Sequence, residues 1–370
     1  MNLKFVFLSI AFLCACATLN NRTPSSDIIY NSDFIQAEGI APQAHSATLA
    51  VLTPIHKLLA CWYSGSREMG PDVQIYCSTA DLNDTKWSTP TVAVKAQEKQ
   101  TGDILKSKSL GNPVLFFDED SKVTYLFFGT VTVGGWRGVR PFYRTSTDYG
   151  ATWSASIKVD GSFPGDSDTL GRIGKFVRAK PLALSKQEFL LPMYSEWDEK
   201  RSFTCSFKKS DELYKETQCE VMPGKGSLQP SLVQTQNGLY AYTRSKTGYV
   251  QYSKYNLEKK EWSELSDLNV LNPDSSIDTL ATSREEILLV GNLASNNRRS
   301  LDLMFSKDGK KFERIFTFEK SDDELVEFSY PAFIKTTDGH YHLAYTYKRV
   351  GIKHLHFNEA WLDQQIEKVQ

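Results

Sequence analysis

From Ile35 to Phe357 the chain is a succession of short apolar or alternating runs, each cut off by Gly, Pro, Asn-Gly or Asp-Gly. Runs of this length, with one face or both faces apolar, predict β-strands, and the intervening Asn237-Gly238 and Asp338-Gly339 pairs predict hairpin turns. No long stretch carries the 3.6-residue period of an amphipathic helix. Only the tail, Asn358–Gln370, reads as a short helix or a frayed end outside the strands.

One phrase recurs along these strands: a run ending in Ser, a polar turn, then an aromatic residue opening the next run. The fullest copy is Ser146-Thr147-Asp148-Tyr149-Gly150-Ala151-Thr152-Trp153. Shorter copies run from Ser78 to Trp87, from Ser253 to Trp262 and from Ser306 to Phe312, with an eroded one from Ser206 to Tyr214. Successive serines are 68, 60, 47 and 53 residues apart. A unit of about 50 residues with four strands is a propeller blade, and residues 33–357 hold six of them. The fold predicted is all-β, a six-bladed β-propeller, whose last blade is closed by strands from both ends of the chain.

Composition narrows the function. Lys and Arg number 43 against 44 Asp and Glu, a net charge of −1, which argues against a nucleic-acid binder. With 41% hydrophobic and 24% charged residues the chain is neither disordered nor polytopic. The 7 Trp, 17 Tyr and 21 Phe suit pleated surfaces.

The first 17 residues have the layout of an export signal: Lys4, an apolar run from Phe5 to Leu13, then Cys14-Ala15-Cys16-Ala17. Leu13-Cys14-Ala15-Cys16 resembles a bacterial lipobox with Cys16 acylated, which would attach the protein to a membrane by an N-terminal lipid; Ala15-Cys16-Ala17 also fits simple cleavage and secretion. Residues 18–32 then read as a linker. Either route leads to an oxidising compartment, periplasm, outer membrane or exterior, where cysteines pair. Cys61 with Cys77 and Cys205 with Cys219 each bracket a predicted hairpin and are expected to pair locally.

Ser146–Trp153 matches the Asp box of the sialidase (neuraminidase) superfamily, a folding device of propeller blades. Further segments resemble the functional strands of that family. Phe328-Ser329-Tyr330-Pro331 looks like the last-blade strand, and the resemblance implies Tyr330 as nucleophile. A 2-keto sugar acid carries a carboxylate on its anomeric carbon, so an uncharged phenol avoids the repulsion that an Asp or Glu nucleophile would meet. Leu228-Gln229-Pro230, returning at Arg244, resembles the hairpin that supplies a Glu base and a substrate-binding Arg. Arg244 matches; Gln229 replaces the Glu, and an amide can orient a phenol but cannot take its proton. Glu196, after the strand Phe189–Tyr194, is a substitute by position.

Three arginines grip the carboxylate in the family, through planar forks of donors. Arg244 is one, and Arg298 or Arg299 stands where another is expected. His45 occupies the place of the first and would offer one directional bond. The resemblance places the general acid in the loop after the first blade's inner hairpin, filled here by Trp62–Asp72, where Glu68 is preferred over Asp72 and Arg67 would touch substrate.

No cofactor is implied. His340-x-His342 and His354-x-His356 put imidazole pairs on strand faces, but no spaced carboxylate or cysteine completes a zinc set. Gly224-Lys225-Gly226-Ser227 lacks P-loop spacing. The leading expectation is an exo-glycosidase that removes a terminal 2-keto-3-deoxy sugar acid, sialic acid or Kdo, from a glycan. The alternatives are a non-catalytic carbohydrate-binding propeller and a polysaccharide lyase.

Overall fold

A computed structural model describes residues 27–36, 40–82, 84, 86–101, 106–132, 134–159, 174–196, 199–211 and 213–369. The segment expected to be an export signal, with Cys14 and Cys16, and most of the expected linker lie outside these residues.

Six antiparallel sheets follow one another around a channel. Their inner strands are Gln43–Leu52, Ser109–Phe117, Lys175–Val177, Ser227–Thr235, Asp278–Ala281 and Phe328–Lys335, for blades 1 to 6 in turn. Consecutive hairpins build each blade outwards, and the chain then returns to the axis. Blade 6 closes the ring: Gly351–Asn358 pairs with the N-terminal strand Tyr30–Gln36, which starts inside the segment expected to be linker. The tail is not frayed. Glu359–Glu367 is a helix capped by the Asn358 side chain, and Trp361, Leu362 and Ile366 pack into the core shared by blades 5 and 6.

The repeated serine phrase sits at the same place in five blades, the junction between third and fourth strands. In blade 2, Ser146 Oγ donates to Asp148 Oδ1 at 2.7 Å, and Asp148 accepts from Thr152 N and Oγ1 at 2.9 and 2.5 Å. These donors hold the Asp148 carboxyl below the usual range, the Thr152 hydroxyl first. In blade 5, Asp308 accepts from Lys310 and Lys311 N, both at 2.8 Å. A second device appears where the aromatic residue is followed by Ser: Ser88, Ser154 and Ser263 each accept, at 3.0 Å, from a backbone N–H of the third strand. Disulfides Cys61–Cys77 and Cys205–Cys219 tie second to third and third to fourth strands, in blades 1 and 3.

The channel's throat is stitched by one buried carboxylate. Asp278 Oδ1 accepts from Lys180 Nζ at 2.7 Å, Ser231 Oγ at 2.6 Å and Thr279 N at 2.9 Å, and Oδ2 from Phe333 N at 2.7 Å. Blades 4, 5 and 6 and the segment leaving the inner strand of blade 3 thus converge on a single side chain.

Candidate active site

Four inner strands carry the same irregularity. The ladder slips between His45 and Thr48, Gly111 and Val114, Leu228 and Ser231, and Ser329 and Ala332. Inside each slip one residue takes a positive φ: Ser46 (55°), Asn112 (48°), Gln229 (52°) and Tyr330 (55°). Such bulges re-aim a side chain out of the ladder. Proline follows three of them, as Pro113, Pro230 and Pro331, where the lost N–H interrupts no ladder bond. The blades thereby present polar side chains to one mouth of the channel, around a cavity of about 260 Å³.

Tyr330, Gln229, Arg244, Arg298 and Glu68 all line this cavity, although they come from blades 6, 4, 4, 5 and 1. Arg244 Nη1 donates to Tyr330 Oη at 3.4 Å and to Gln229 Oε1 at 3.3 Å, while its Nε is held by Asp274 at 2.6 Å. The Arg298 guanidinium lies 5.8 Å from the Tyr330 ring centre. Arg298 is anchored by the Asp274 carbonyl at 2.9 Å and faces Glu327 at 3.7 Å. Its neighbour Arg299 turns away to the Asp322 carbonyl and does not line the cavity.

His45 stands behind the phenol rather than beside the arginines. Its ring centre is 4.3 Å from that of Tyr330, and its Nδ1 meets Thr346 Oγ1 at 2.9 Å. Burial, with the charges of Arg349, Arg298 and Arg178, drives its pKa well below the ordinary histidine value, so the imidazole is neutral. Its Nε2 is buried without a hydrogen-bond partner among the described residues.

Glu68 accepts from Arg349 Nη1 at 2.6 Å, and Arg349 also pairs through Nε with Glu327 at 3.1 Å. Burial opposes the Arg349 charge, but the two carboxylates outweigh it and raise its pKa. Asp72 and Arg67 are outside the cavity. Asp72 is exposed and closes its own turn by accepting from Ser66 N and Oγ, both at 2.7 Å, and Arg67 is exposed on the same turn. The loop's carboxylate that reaches the mouth is Glu68.

Sequence reasoning missed several neighbours. Arg178, just past the inner strand of blade 3, is 3% exposed; its guanidinium lies 5.0 Å from the Tyr330 ring centre and donates to the Pro331 carbonyl at 3.0 Å. Arg349, from the turn after Tyr347, completes the cationic side. Trp136, Phe176 and Tyr194 form the opposite wall, with Glu196 beside them. The repeated X-Pro pairs on inner strands are the signal that would have found Asn112; nothing comparable marks Arg178 or Arg349.

The six-bladed propeller is also the fold of solved sialidases. Residues 56–343 match the BNR repeat-like domain, and the chain belongs to that family. Among solved structures, the Hadza microbial sialidase Hz136 superposes with a TM-score of 0.72 at 12% identity, over 89% of this chain and 68% of that one. The NanB sialidase of Streptococcus pneumoniae gives 0.68 at 12%, over 88% and 70%. A protein of unknown function from Dyadobacter fermentans gives 0.69 at 9%, over 90% and 99%. No curated protein sequence matches the chain.

Proposed function

We propose that the pocket takes a terminal 2-keto-3-deoxy sugar acid, sialic acid or Kdo, and cleaves it from a glycan by sialidase-type hydrolysis. The observation that carries this reading is the convergence of Arg244, Arg298 and Arg178 on the Tyr330 phenol, a neutral nucleophile set among cations. Arg244 and Arg298 take the carboxylate. The Tyr330 oxygen attacks the anomeric carbon as Glu68 gives a proton to the leaving oxygen; water then displaces Tyr330 from that carbon, giving its proton to Glu68, and the free sugar acid leaves. Arg349 keeps Glu327 as a partner while Glu68 is protonated. Gln229 cannot accept the phenol's proton, and Glu196 is the pocket carboxylate assigned to it. The export signal fits a glycan substrate outside the cytoplasm, with lipid attachment through Cys16 or simple secretion.

A second reading, a sugar-binding propeller without turnover, is favoured by one observation: Arg244 is the hydrogen-bond partner of Tyr330 Oη, and among the described residues no carboxylate bonds to it. Fluorogenic sialic-acid and Kdo glycosides separate the two. Hydrolysis that disappears in Tyr330→Phe and Glu196→Gln supports the enzyme; saturable binding of the free sugars with no hydrolysis supports the binding module.

A further inference from the structure

Opposite the arginines the pocket is walled by three rings. Trp136 lies 6.0 Å from Phe176, and Phe176 stacks on Tyr194 at 4.8 Å with 12° between planes. The Tyr194 hydroxyl is the polar tip of this wall, and its hydrogen bonds can be counted. A guanidinium only donates, so the bond from Arg244 Nη1 identifies the Gln229 atom facing it as Oε1. Gln229 Nε2 is therefore the atom that faces Tyr194, donating to its Oη at 3.2 Å. On the other side, Asn112 Nδ2 donates to the same Oη at 3.1 Å, while Ser46 Oγ lies 3.3 Å from Asn112 Oδ1. The phenol oxygen accepts twice. Its own hydrogen has no acceptor among the described residues. Burial first, and the Glu196 charge second, raise the Tyr194 pKa, so that hydrogen is retained.

We infer that Tyr194 is a neutral donor subsite, whose O–H, aimed from the Trp136–Phe176 wall, takes an uncharged oxygen of the bound sugar, a ring hydroxyl or an acyl carbonyl. The identity of the sugar rests on the function proposed above; the free donor does not. The inference also gives Gln229 a purpose. A Glu at this position would accept from Arg244 and from the phenol together and withdraw the proton from the ligand. The amide donates instead and leaves the phenol's hydrogen for the ligand. Gln229 is thus a positioning residue for Tyr194 rather than a weakened base for Tyr330.

The test is calorimetric titration of the full chain, wild type, Tyr194→Phe and Gln229→Glu, with N-acetylneuraminic acid, Kdo, galactose and N-acetylgalactosamine. Monodeoxy analogues of whichever sugar binds, with its counterpart lacking any acyl group, complete the set, and thermal melts check folding. Tyr194→Phe should weaken the parent sugar about tenfold and leave one of these analogues unaffected, because that analogue lacks the oxygen the phenol serves. Gln229→Glu should weaken it comparably and add little to Tyr194→Phe. Equal affinities in wild type and Tyr194→Phe, or the same loss on every analogue, would overturn the inference. Binding of the neutral sugars alone would reject the sugar-acid reading and still let Tyr194→Phe decide the donor subsite. No binding of any sugar by wild type would reject both.

Discussion

The throat and the mouth of the channel are built from the same inner strands and treat buried polar groups in opposite ways. At the throat, the Asp278 carboxylate accepts four bonds from Lys180, Ser231, Thr279 and Phe333. At the mouth, a few residues along the same strands, His45 Nε2 and Arg178 Nε are buried with no partner, and the Tyr194 hydrogen has no acceptor among the described residues. A buried polar group left unpaired costs free energy, so a site that holds several must be repaid by a ligand or by the surrounding fold. The throat ties the blades together. The mouth keeps hydrogen-bonding capacity in reserve.

The contrast is broken most directly at Tyr330. Tyr330→Phe removes one oxygen at the mouth; turnover of the fluorogenic glycosides should fall by at least about a thousandfold while the melting temperature stays unchanged. A parallel loss of stability would mean that the mouth is structural too. Asp278→Ala is the converse. It removes the carboxylate partner of the Lys180 ammonium, which keeps only the Thr279 carbonyl, and the acceptor of Phe333 N, and should cost about 3–5 kcal/mol in urea unfolding. A cost below about 1 kcal/mol would show that the throat is not a hub.

The seam between blades 6 and 1 sharpens the comparison, because it is unsatisfied and yet carries no proposed function. His342 stacks on His354 at 5.3 Å and on His356 at 4.5 Å, Trp87 packs edge-on to His354, and His342 Nε2, His354 Nδ1 and Trp87 Nε1 have no hydrogen-bond partner among the described residues. Burial, then the neighbouring His356, pushes the His354 pKa down to about 3. The unfolded chain therefore binds a proton at His354 below about pH 6.5 that the folded chain refuses. Stability is full above that pH and falls as pH drops towards 3. At pH 4.5 the loss from His354 alone is about 2–3 kcal/mol, read as a fall in urea midpoint from pH 7 that is smaller in His354→Leu, the similarly depressed His342, His356 and His45 supplying the remainder.

The smallest effect is expected at Gly111. A Cβ there would meet Trp136 Cη2 at 2.7 Å, so Gly111→Ala should push the indole off the strand without disturbing the blade. Sugar affinity should fall a few-fold, about a kcal/mol or less, with no change in melting temperature. An unchanged affinity would remove Trp136 from the ligand wall.

Much of this architecture is legible in the sequence because it is local. Hairpin turns, strand lengths and the serine phrase each depend on residues within about ten positions of one another. Ser78, Ser146, Ser206, Ser253 and Ser306 accordingly mark five blades at the same junction. The site was legible in part for the same reason: Tyr330, Gln229 and Arg244 lie in recognisable hairpins. Asp72 and Glu68 were harder to separate, since both are turn carboxylates, and only the course of the turn sends Asp72 back to Ser66 and Glu68 to Arg349. Arg178 and Arg349 carried no local mark, because what makes them part of the mouth is a partner in another blade. A strand from the N-terminal end was expected to close the last blade, but its first residues, Tyr30 to Ser32, fell within the segment read as linker: they are exposed, and pairing with blade 6 is what makes them strand.

The sequence by itself determined the blades, their number and the chemical types available at the mouth, since alternation, turns and repeats act over short separations. Tertiary structure alone decided which groups are satisfied. Gln229 could have been a failed base or a donor, and the choice falls to a guanidinium in its own blade and a phenol in the next. His45 could have been a charged ligand for the carboxylate, and burial first, with the charges of Arg349, Arg298 and Arg178 adding to it, makes it neutral. Hydrogen bonding and desolvation depend on atoms brought together from distant parts of the chain, and closure of the ring is what brings them there.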